Sequence, residues 1–492
     1  MNKKVLSLGV MLSLATTGAM AADVVTTSVN NGDQLSKYQK EAIQLTQKQL
    51  AEKSVQDSKT YESKLDLDES RTIELALANN RTAKQTKWDY QVAKDTVSAT
   101  AAGKNPSISY TWQGARSNGV NAMTGRNVTS KTGSHSFTIS APVFSPELDA
   151  SIDASRYARE GAGAGYEEAL QQAKYDAISG YYTLIMNRNL VDVAQQSVKD
   201  YQGHVTNVQA QYNVGLVASS DVLAAKTNLA DSETNLVKAQ NSANLSEASL
   251  NQVIAYPVQT AINTAEHDLQ YKPYNVTLEQ AKAYALLHRS ALVKSAMAVK
   301  EAEEALKKVK SGYLPTVGVE AGRSYADPDG YFGTSNKSWH IGAKASWSLW
   351  DGGATQNKVK VATDTLEKAK EANLAAVDSV LLAVQKAYLN LRSAEQTIQS
   401  TQTAVAQGQE SFRIATLRYR AGVGTNLDVL DAETKLTDAR NNYVQALYNY
   451  NISIAALEQL TGVPLNTPVG QGAEIIANSG AAEQLAQLGG NQ

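Results

Sequence analysis

The longest regular pattern in this sequence is a seven-residue repeat of bulky side chains in its C-terminal half. The bulky positions are Val384, Leu391, Ile398, Val405, Phe412 and Tyr419. Three residues after the first five of them come Ala387, Ala394, Thr401, Gly408 and Ala415. This spacing predicts a coiled-coil seam in which small residues let two helices pack closely. A helix from about Gly353 to Tyr419 would be about 100 Å long, far longer than a globular domain is wide.

The same pattern occurs a second time, 207 residues earlier. The sequence QYNVGLVASSDVLAAKT matches RYRAGVGTNLDVLDAET, with Gly215 on Gly422 and Asp221 on Asp428. Carried back by this offset, the seam falls on Ala177, Leu184, Val191, Val198, Val205 and Tyr212. We therefore interpret the chain as a tandem duplication. Each half is predicted to contain a helix, two extended segments joined by a loop, a long helix and a second helix.

The extended segments alternate apolar and polar residues. Ile108, Tyr110 and Trp112 alternate with small polar residues in the first half, and 339 to 349 alternate in the second. A transmembrane β-strand needs about 9–11 residues with this alternation. The polar, glycine-rich segments 117–133 and 326–337 are predicted to be the connecting loops. A soluble sandwich with one buried face is the alternative interpretation of these strands.

Four strands are too few to close a barrel, and an open sheet edge cannot face lipid because its backbone groups would lack partners. Bacterial outer-membrane barrels begin at about eight strands. The chain must therefore pool its strands with copies of itself. Two copies would supply eight strands and three would supply twelve, and the pattern of residues does not choose between them. The long helices are expected to continue beyond the membrane as a tube.

The composition restricts the compartment and the class of function. Residues 1–21 are predicted to be a secretory signal, with Lys3 and Lys4, an apolar core from Val5 to Ala15, and a small-residue cleavage site. No other run of about 18 consecutive apolar residues is present, so no membrane-spanning helix is expected. The chain has no cysteine, which excludes disulfides, thiolate metal sites and a lipidated cysteine. The formal net charge of −2 gives no sign of nucleic-acid binding.

The predicted division of the chain follows from the duplication. The signal peptide is followed by a polar N-terminal extension, a first repeat, a connector, a second repeat and a loose C-terminal tail, at 22–64, 65–256, 257–276, 277–462 and 463–492. The first repeat is predicted to carry a β-hairpin at about 104–145 and a long helical hairpin at about 146–256. The corresponding elements of the second repeat are predicted at about 314–350 and 351–462.

The duplicated halves, the NVGLVASSDV and VLDAET stretches, the LWDGG strand-to-helix junction and the signal peptide resemble the TolC family of outer-membrane efflux proteins. The resemblance covers about Leu65 to Pro464. It implies a homotrimer with a twelve-stranded barrel in the outer membrane, continuous with a periplasmic α-helical tunnel. It also implies a passive exit duct for efflux or type I secretion, joined by a periplasmic adaptor to an inner-membrane pump of the RND, ABC or MFS type. The absence of cysteine resembles the non-lipidated branch.

The resemblance also implies a gate at the helix turns, far from the barrel. In the family, a tyrosine and an arginine of the second helix pair bind polar residues at the neighbouring turn. Tyr419 matches the tyrosine, and Ser220 and Asp221 match its partners. Gly424 stands where the family has the arginine, so the closed state would be held more weakly or Arg420 would take over. Packing within the seam is the alternative role for Tyr419.

The same turns carry two glycines and two further aspartates. Gly215 and Gly422 are predicted turn glycines. Asp428 and Asp431 match the family's acidic ring at the tunnel entrance. Carboxylates from several copies around a narrow axis should attract cations, and repulsion among these carboxylates should raise some of their pKa values. As an alternative, Asp221 and Asp428 would be helix N-caps.

The sequence contains no arrangement of residues typical of an enzyme, and we predict no cofactor and no metal site. Its five histidines show no paired spacing and are expected to be structural or surface residues. The alternative hypothesis is a periplasmic adaptor protein, which is also exported and rich in helical hairpins; a surface coiled coil is a third. The cargo cannot be named, because a tunnel of small and polar residues selects weakly.

Overall fold

The computed structural model describes residues 37–60, 64–120, 122–327, 336–481 and 483–484. The predicted signal peptide, 1–21, lies outside the described residues. Helix α1, Lys37–Thr60, occupies the later part of the predicted N-terminal extension.

The two halves contain the same order of elements. The first half contains β1 (Lys64–Leu67), α2 (Glu69–Asn79), α3 (Arg81–Ala101), β2 (Ser107–Val120), β3 (Asn127–Phe144), α4 (Pro146–Asn213) and α5 (Ser219–Val253). The second half contains β4 (Ala261–Thr264), α6 (Leu278–His288), α7 (Ser290–Lys310), β5 (Thr316–Asp327), β6 (Asn336–Ser346), α8 (Ala354–Arg420) and α9 (Asn426–Thr461). A short helix, α10 (Gly472–Asn478), follows.

Helices α4 and α8 are the long helices that the seam predicted. They contain 68 and 67 residues, so each extends about 100 Å at 1.5 Å per residue. By length and composition alone, α8 is apolar enough to cross a membrane. Its seam residues Val384, Leu391 and Ile398 are instead buried against other helices of the chain. These seam residues pack within the chain, whereas most of the apolar stretch of α8 is not buried within it.

The four longer strands form one antiparallel sheet in the order β2-β3-β5-β6. Its register aligns Ile108 with Ile139, Ile139 with Ala321, and Ala321 with Ile341. Because alternate residues of paired strands share a face, one face of the sheet is apolar and the other carries serine, threonine and other polar residues. Both faces are exposed, with Ile108 and Ile341 each more than three-quarters accessible. The soluble sandwich is therefore wrong, since its apolar face would be buried in the chain's own core.

The first hairpin, predicted at about 104–145, spans 107–144, and its two strands extend into the predicted loop. Residues 117–120 and 127–133, expected to be loop, continue the ladder between β2 and β3. Their polar composition misled the prediction, because backbone hydrogen bonds extend a hairpin regardless of its side chains.

A compact core joins the two repeats between the sheet and the helix turns. It includes a two-stranded parallel pairing of β1 with β4, which the sequence analysis did not predict. Tyr181 and Leu184 of α4 and Leu391 of α8 are fully buried in the same core. Side chains of the first seam and of the second seam thus pack in the same hydrophobic core.

The expectation of a loose tail over 463–492 is wrong for residues 463 to 481. Ile476 of α10 is buried in the core joining the repeats. Lys174 of α4 donates from Nζ to the carbonyl oxygens of Thr467 at 2.7 Å and Pro464 at 3.3 Å. The buried carboxylate of Glu458 accepts the backbone N–H groups of 470 and 472. The segment has few apolar residues, so its packing could not be predicted from composition. Much of what holds it in place is hydrogen bonding to its backbone groups.

Candidate functional site

The two turns that end the long helices have the same backbone geometry. Gly215 and Gly422 have φ values of 77° and 73°, in the left-handed region. In the first turn, the N–H of Gly215 donates to the carbonyl of Tyr212, and the N–H of the following residue donates to the carbonyl five positions before it. In the second turn, the N–H of Gly422 donates to the carbonyl of Tyr419, and the following N–H again donates five positions back. This is the Schellman arrangement, in which a left-handed glycine closes a helix. The turn glycines predicted from the repeat thus end α4 and α8 in the same way.

Tyr419 lies between the two helix pairs at this end of the molecule. It is 4 % exposed and packs with Val208 of α4, Val222 of α5 and Val429 of α9. Burial raises the pKa of its hydroxyl, and the Asp221 carboxylate adds to the effect. In the described part of the chain, the hydroxyl has no hydrogen-bond partner. The packing role, the alternative to a gating contact, is therefore present in the single chain.

The residues matched to the partners of Tyr419 lie nearby but do not bind its hydroxyl. Ser220 is exposed in the first turn of α5, and Asp221 is half-buried beside it. Asp221 lies close enough to act electrostatically on Tyr419. The N-cap position of α5 belongs to Ala218, which makes no side-chain cap. The N-cap interpretation of Asp221 is therefore wrong: the aspartate lies inside the first turn.

Gly424 has almost no room for a side chain. A Cβ atom there would lie 3.0 Å from the backbone nitrogen of Tyr419 and 3.1 Å from the Cβ of Arg418. Any larger residue must shift the turn. Arg420, suggested as a substitute for the missing arginine, is exposed. The charge of Arg418, rather than that of Arg420, helps to lower the pKa of Asp428 beyond the turn.

Asp428 belongs to a capping box at the start of α9. Its side chain accepts the N–H of Thr425 at 2.9 Å, and its own N–H donates to the Thr425 hydroxyl at 3.1 Å. Thr425, not Asp428, is the N-cap. These hydrogen bonds from Thr425, together with the charge of Arg418, lower the pKa of Asp428. Within one chain this is opposite in direction to the increase expected from repulsion in an acidic ring.

Asp431 is free of the cap and lies in solvent. Its carboxylate is 3.1 Å from Lys435 Nζ, one turn further along α9, and both side chains are well exposed. An exposed pair of this kind contributes little to stability. Because the side chain of Asp431 is exposed, its carboxylate is accessible to a cation. Across the described ranges, no group of three or more histidine, aspartate and glutamate side chains is arranged to hold a metal ion.

A buried contact that the sequence analysis missed joins the two helix pairs beside Tyr419. The Nε2 atom of His204 on α4 lies 2.6 Å from Oδ1 of Asn426 on α9. Asn426 Nδ2 donates to the backbone oxygen of Asp221 at 3.3 Å. The absence of a second histidine nearby in the sequence concealed this role of His204. A difference between the two repeats could have indicated it: Ser411 stands where the second repeat would match His204, and Ser219 stands where the first would match Asn426.

The tips of both turns expose apolar side chains. Val214 and Leu216 of the first turn and Val423 and Leu427 of the second are each between two-thirds and three-quarters accessible. Exposed large apolar groups on both turns at the same end of the helices are typical of a contact surface rather than of a solvated end.

Comparison with known families gives one match that covers most of the chain. The family model described as "Outer membrane efflux protein" matches residues 72–255 and 283–463, one stretch in each repeat. The two stretches correspond to the duplicated halves identified above.

Individual relatives are more distant. The outer membrane protein TolC of Escherichia coli is 25 % identical over 312 residues, which cover 60 % of this chain and 62 % of TolC. The alkaline protease secretion protein AprF of Pseudomonas aeruginosa is 23 % identical over 304 residues, again 60 % of this chain and 62 % of the relative. The chain thus spans about three-fifths of the length of these curated relatives.

Solved structures show the same fold. A structure of CusC superposes with a TM-score of 0.72 at 17 % identity, covering 80 % of this chain and 92 % of CusC. The outer membrane protein VceC of Vibrio cholerae superposes with a TM-score of 0.70 at 19 % identity, covering 80 % and 96 %. The predicted fold, a tandem repeat of β-hairpins and long helical hairpins, is confirmed.

Proposed function

Since the chain belongs to the outer membrane efflux protein family, we propose that it is a passive channel-tunnel: the exit duct of a tripartite efflux pump or of a type I secretion system. It resides in the outer membrane and has a large periplasmic portion. The relatives are named for efflux and for secretion of a protease, so the family permits either cargo class.

The observation that carries this proposal is the sheet with two exposed faces at one end of two helices about 100 Å long. An apolar face that the chain itself does not cover suits lipid, and the polar opposite face suits a water-filled lumen. Three copies would supply twelve strands, enough for a closed outer-membrane barrel. The long helices then continue the lumen into the periplasm. An adaptor needs no lipid-facing sheet, so this architecture favours the duct over the adaptor hypothesis.

The helix turns supply the gate of the proposed duct. Tyr419, with Ser220 and Asp221 nearby, is the contact that holds the second helix pair against the first, and Gly424 gives the turn its tight form. In the trimer, Asp428 and Asp431 surround the entrance and attract cations. The supporting observation is that both pairs meet there in a small apolar cluster, which separates more easily than the larger core nearer the barrel.

The same geometry supports the proposed partners. The exposed apolar tips at Val214, Leu216, Val423 and Leu427 suit a periplasmic adaptor, which would join the duct to an inner-membrane pump of the RND, ABC or MFS type. Lipid contacts the sheet. No catalytic step is part of this function, since the duct moves cargo passively.

The decisive test is single-channel recording from the detergent-extracted, folded oligomer in planar bilayers, with divalent cations added on the periplasmic side. We expect a small, stable conductance that those cations block. The mass of the oligomer should correspond to three chains. A folded trimer that never conducts would refute the duct and favour the adaptor.

A further inference from the structure

His204 joins three helices at the gate. The residue is 4 % exposed, and its ring makes a T-shaped contact with the ring of Tyr419 on α8, with the ring centroids 5.2 Å apart. Its Nε2 atom contacts Asn426 at the start of α9, at 2.6 Å. Asn426 in turn contacts the backbone of Asp221 in α5. One buried histidine therefore lies at the junction of both helix pairs.

The hydrogen bonds determine the protonation state of this histidine. Asn426 Nδ2 donates to the carbonyl oxygen of Asp221, so its Oδ1 atom faces His204 and can only accept. Nε2 of His204 must therefore carry the proton. Nδ1 is then the bare nitrogen of a neutral ring, and it is buried with no partner among the described residues.

A second proton on this ring has no favourable place. It would bind at Nδ1, where the described structure offers it no acceptor. Burial lowers the pKa of His204, and the bond to Asn426 offsets only part of this effect. The buried hydroxyl of Tyr419, whose ring packs against His204, also lacks a partner in the described chain. Such unsatisfied groups weaken a packed interface.

The charged groups on the surrounding helices do not compensate. On α5, the Asp221 carboxylate helps to raise the pKa of Tyr419, whereas burial is the main cause of the lowered pKa of His204. On α4, Asp200 lies one turn before His204 and contacts Arg440 of α9 at 3.4 Å, so its charge is already paired. The two side chains that contact the ring directly, Tyr419 on α8 and Asn426 on α9, are neutral.

We propose that His204, Asn426 and Tyr419 form an acid-sensitive latch, in which protonation of His204 releases the second helix pair from the first and widens the periplasmic entrance. The latch itself is a property of the helix packing, whereas its effect on conductance rests on the function proposed above. The duplication carries serines at the matching positions, so each chain has one latch, between its two pairs.

The direction of the pH effect follows from the two states. A released, solvated histidine has the ordinary pKa of 6.5, and the latched histidine has a lower one. Between these values the released state binds more protons, so the latch weakens as pH falls through 6.5 and is fully formed above it. Asp428, whose pKa is lowered, changes charge at more acidic pH. The two transitions are therefore separable.

The absence of cysteine makes a direct distance measurement possible. Spin labels at Ala218→Cys and Ala421→Cys place one probe on each turn, at exposed positions. Labelled chain diluted with unlabelled chain gives one labelled protomer per oligomer. The distance distribution between the labels and the single-channel conductance are measured in parallel at pH 7.5 and 5.0.

We expect the label distance to increase and broaden in acid, and the conductance to rise severalfold. His204→Gln keeps an N–H for Asn426 but cannot titrate, so both responses should disappear. His267→Gln, at a well-exposed histidine, should respond like the wild type. If His204→Gln does not fold, Asn426→Asp serves instead: its carboxylate stabilises the protonated ring, so acid should no longer release the latch.

The outcomes separate the two proposals. A label distance that does not change with pH, or an acid response that persists in His204→Gln, overturns the latch. A label distance that moves as expected in an oligomer that conducts at neither pH supports the latch and refutes the duct.

Discussion

Gly215 and Gly422 adopt nearly the same left-handed conformation although 207 positions separate them, with φ values of 77° and 73°. Each ends a helix about 100 Å long and begins the return of the chain. The duplication is thus preserved at the level of single backbone angles, at the turns that end the two long helices.

Replacing either turn glycine by alanine should destabilise the protein. A Cβ atom at a left-handed residue costs roughly 1 kcal/mol. Gly203→Ala is the matched control, because Gly203 lies within α4, has no positive φ, and leaves open space within 4 Å of where a Cβ atom would lie. That substitution should be neutral or stabilise by up to about 1 kcal/mol. Denaturant titration of the extracted protein measures all three, and equal losses at 203 and 422 would contradict this account.

The two turns should respond oppositely to changes at their N-caps. Thr425 caps α9 with its hydroxyl, whereas Ala218 occupies the same position before α5 without a cap, at similar backbone angles. Thr425→Ala should destabilise by about 1 kcal/mol and Ala218→Thr should stabilise by a similar amount. Both are read from denaturation midpoints. A destabilising Ala218→Thr would show that the two turns are not equivalent.

Block by divalent cations should depend on Asp431. Asp431→Asn removes one accessible carboxylate per chain, so the half-blocking cation concentration should rise. Lys435→Gln removes the positive partner of Asp431 and should lower that concentration. Asp364→Asn, at an exposed position near the start of α8, is the control and should leave block unchanged. Equal block in all four proteins, measured in planar bilayers, would exclude an acidic ring at this position.

The effect of an arginine at position 424 can be separated from the effect of crowding. Gly424→Arg should lower single-channel conductance if the closed state lacks the family's arginine contact. Because any Cβ atom at this position meets the backbone of Tyr419 at 3.0 Å, Gly424→Ala is the necessary control. A drop in conductance for arginine alone supports a missing lock. The same drop for alanine would assign the effect to a displaced turn.

Glu458 should make the protein more stable in mild acid than in base. Burial raises the pKa of its carboxyl from 4.5 to about 7, partly opposed by Lys174. The folded state then holds a proton that the unfolded state releases, so stability falls as pH rises from 4.5 through 7, by on the order of 3 kcal/mol. Glu458→Gln should remove this dependence. Glu474→Gln, exposed in the same segment, should retain it; thermal melting at pH 4.5 and 8 distinguishes them.

The sequence was informative wherever a pattern is local and periodic. The seven-residue seam predicted α4 and α8 because this spacing keeps bulky side chains on one face of a helix, and Val384, Leu391 and Ile398 are buried accordingly. Tyr212, the last position of the first seam, is instead 44 % exposed. Period-two alternation predicted the sheet because strand geometry forces neighbouring residues to opposite faces. Both patterns occur twice, so each half tested the other.

The remaining features depend on contacts between distant segments. His204 and Asn426 are 222 residues apart, and neither stands out in its own helix. Glu458 and Lys174 hold the segment after Pro464 through backbone groups, which leave no trace in its composition. The site residues drawn from the resemblance were placed near one another, but the bonds they make within one chain belong to helix capping and packing.

Strands β2 and β6 each pair on one side only within the described sheet. A single protomer therefore has two sheet edges whose backbone N–H and C=O groups are unpaired, and such edges are not stable in lipid. If the proposed trimer forms, insertion and trimerisation should be a single event whose rate rises steeply with the concentration of unassembled chain. At high expression, mispaired strand edges would compete with correct closure of the barrel. The abundance of this protein in a cell would then be set by assembly as much as by synthesis.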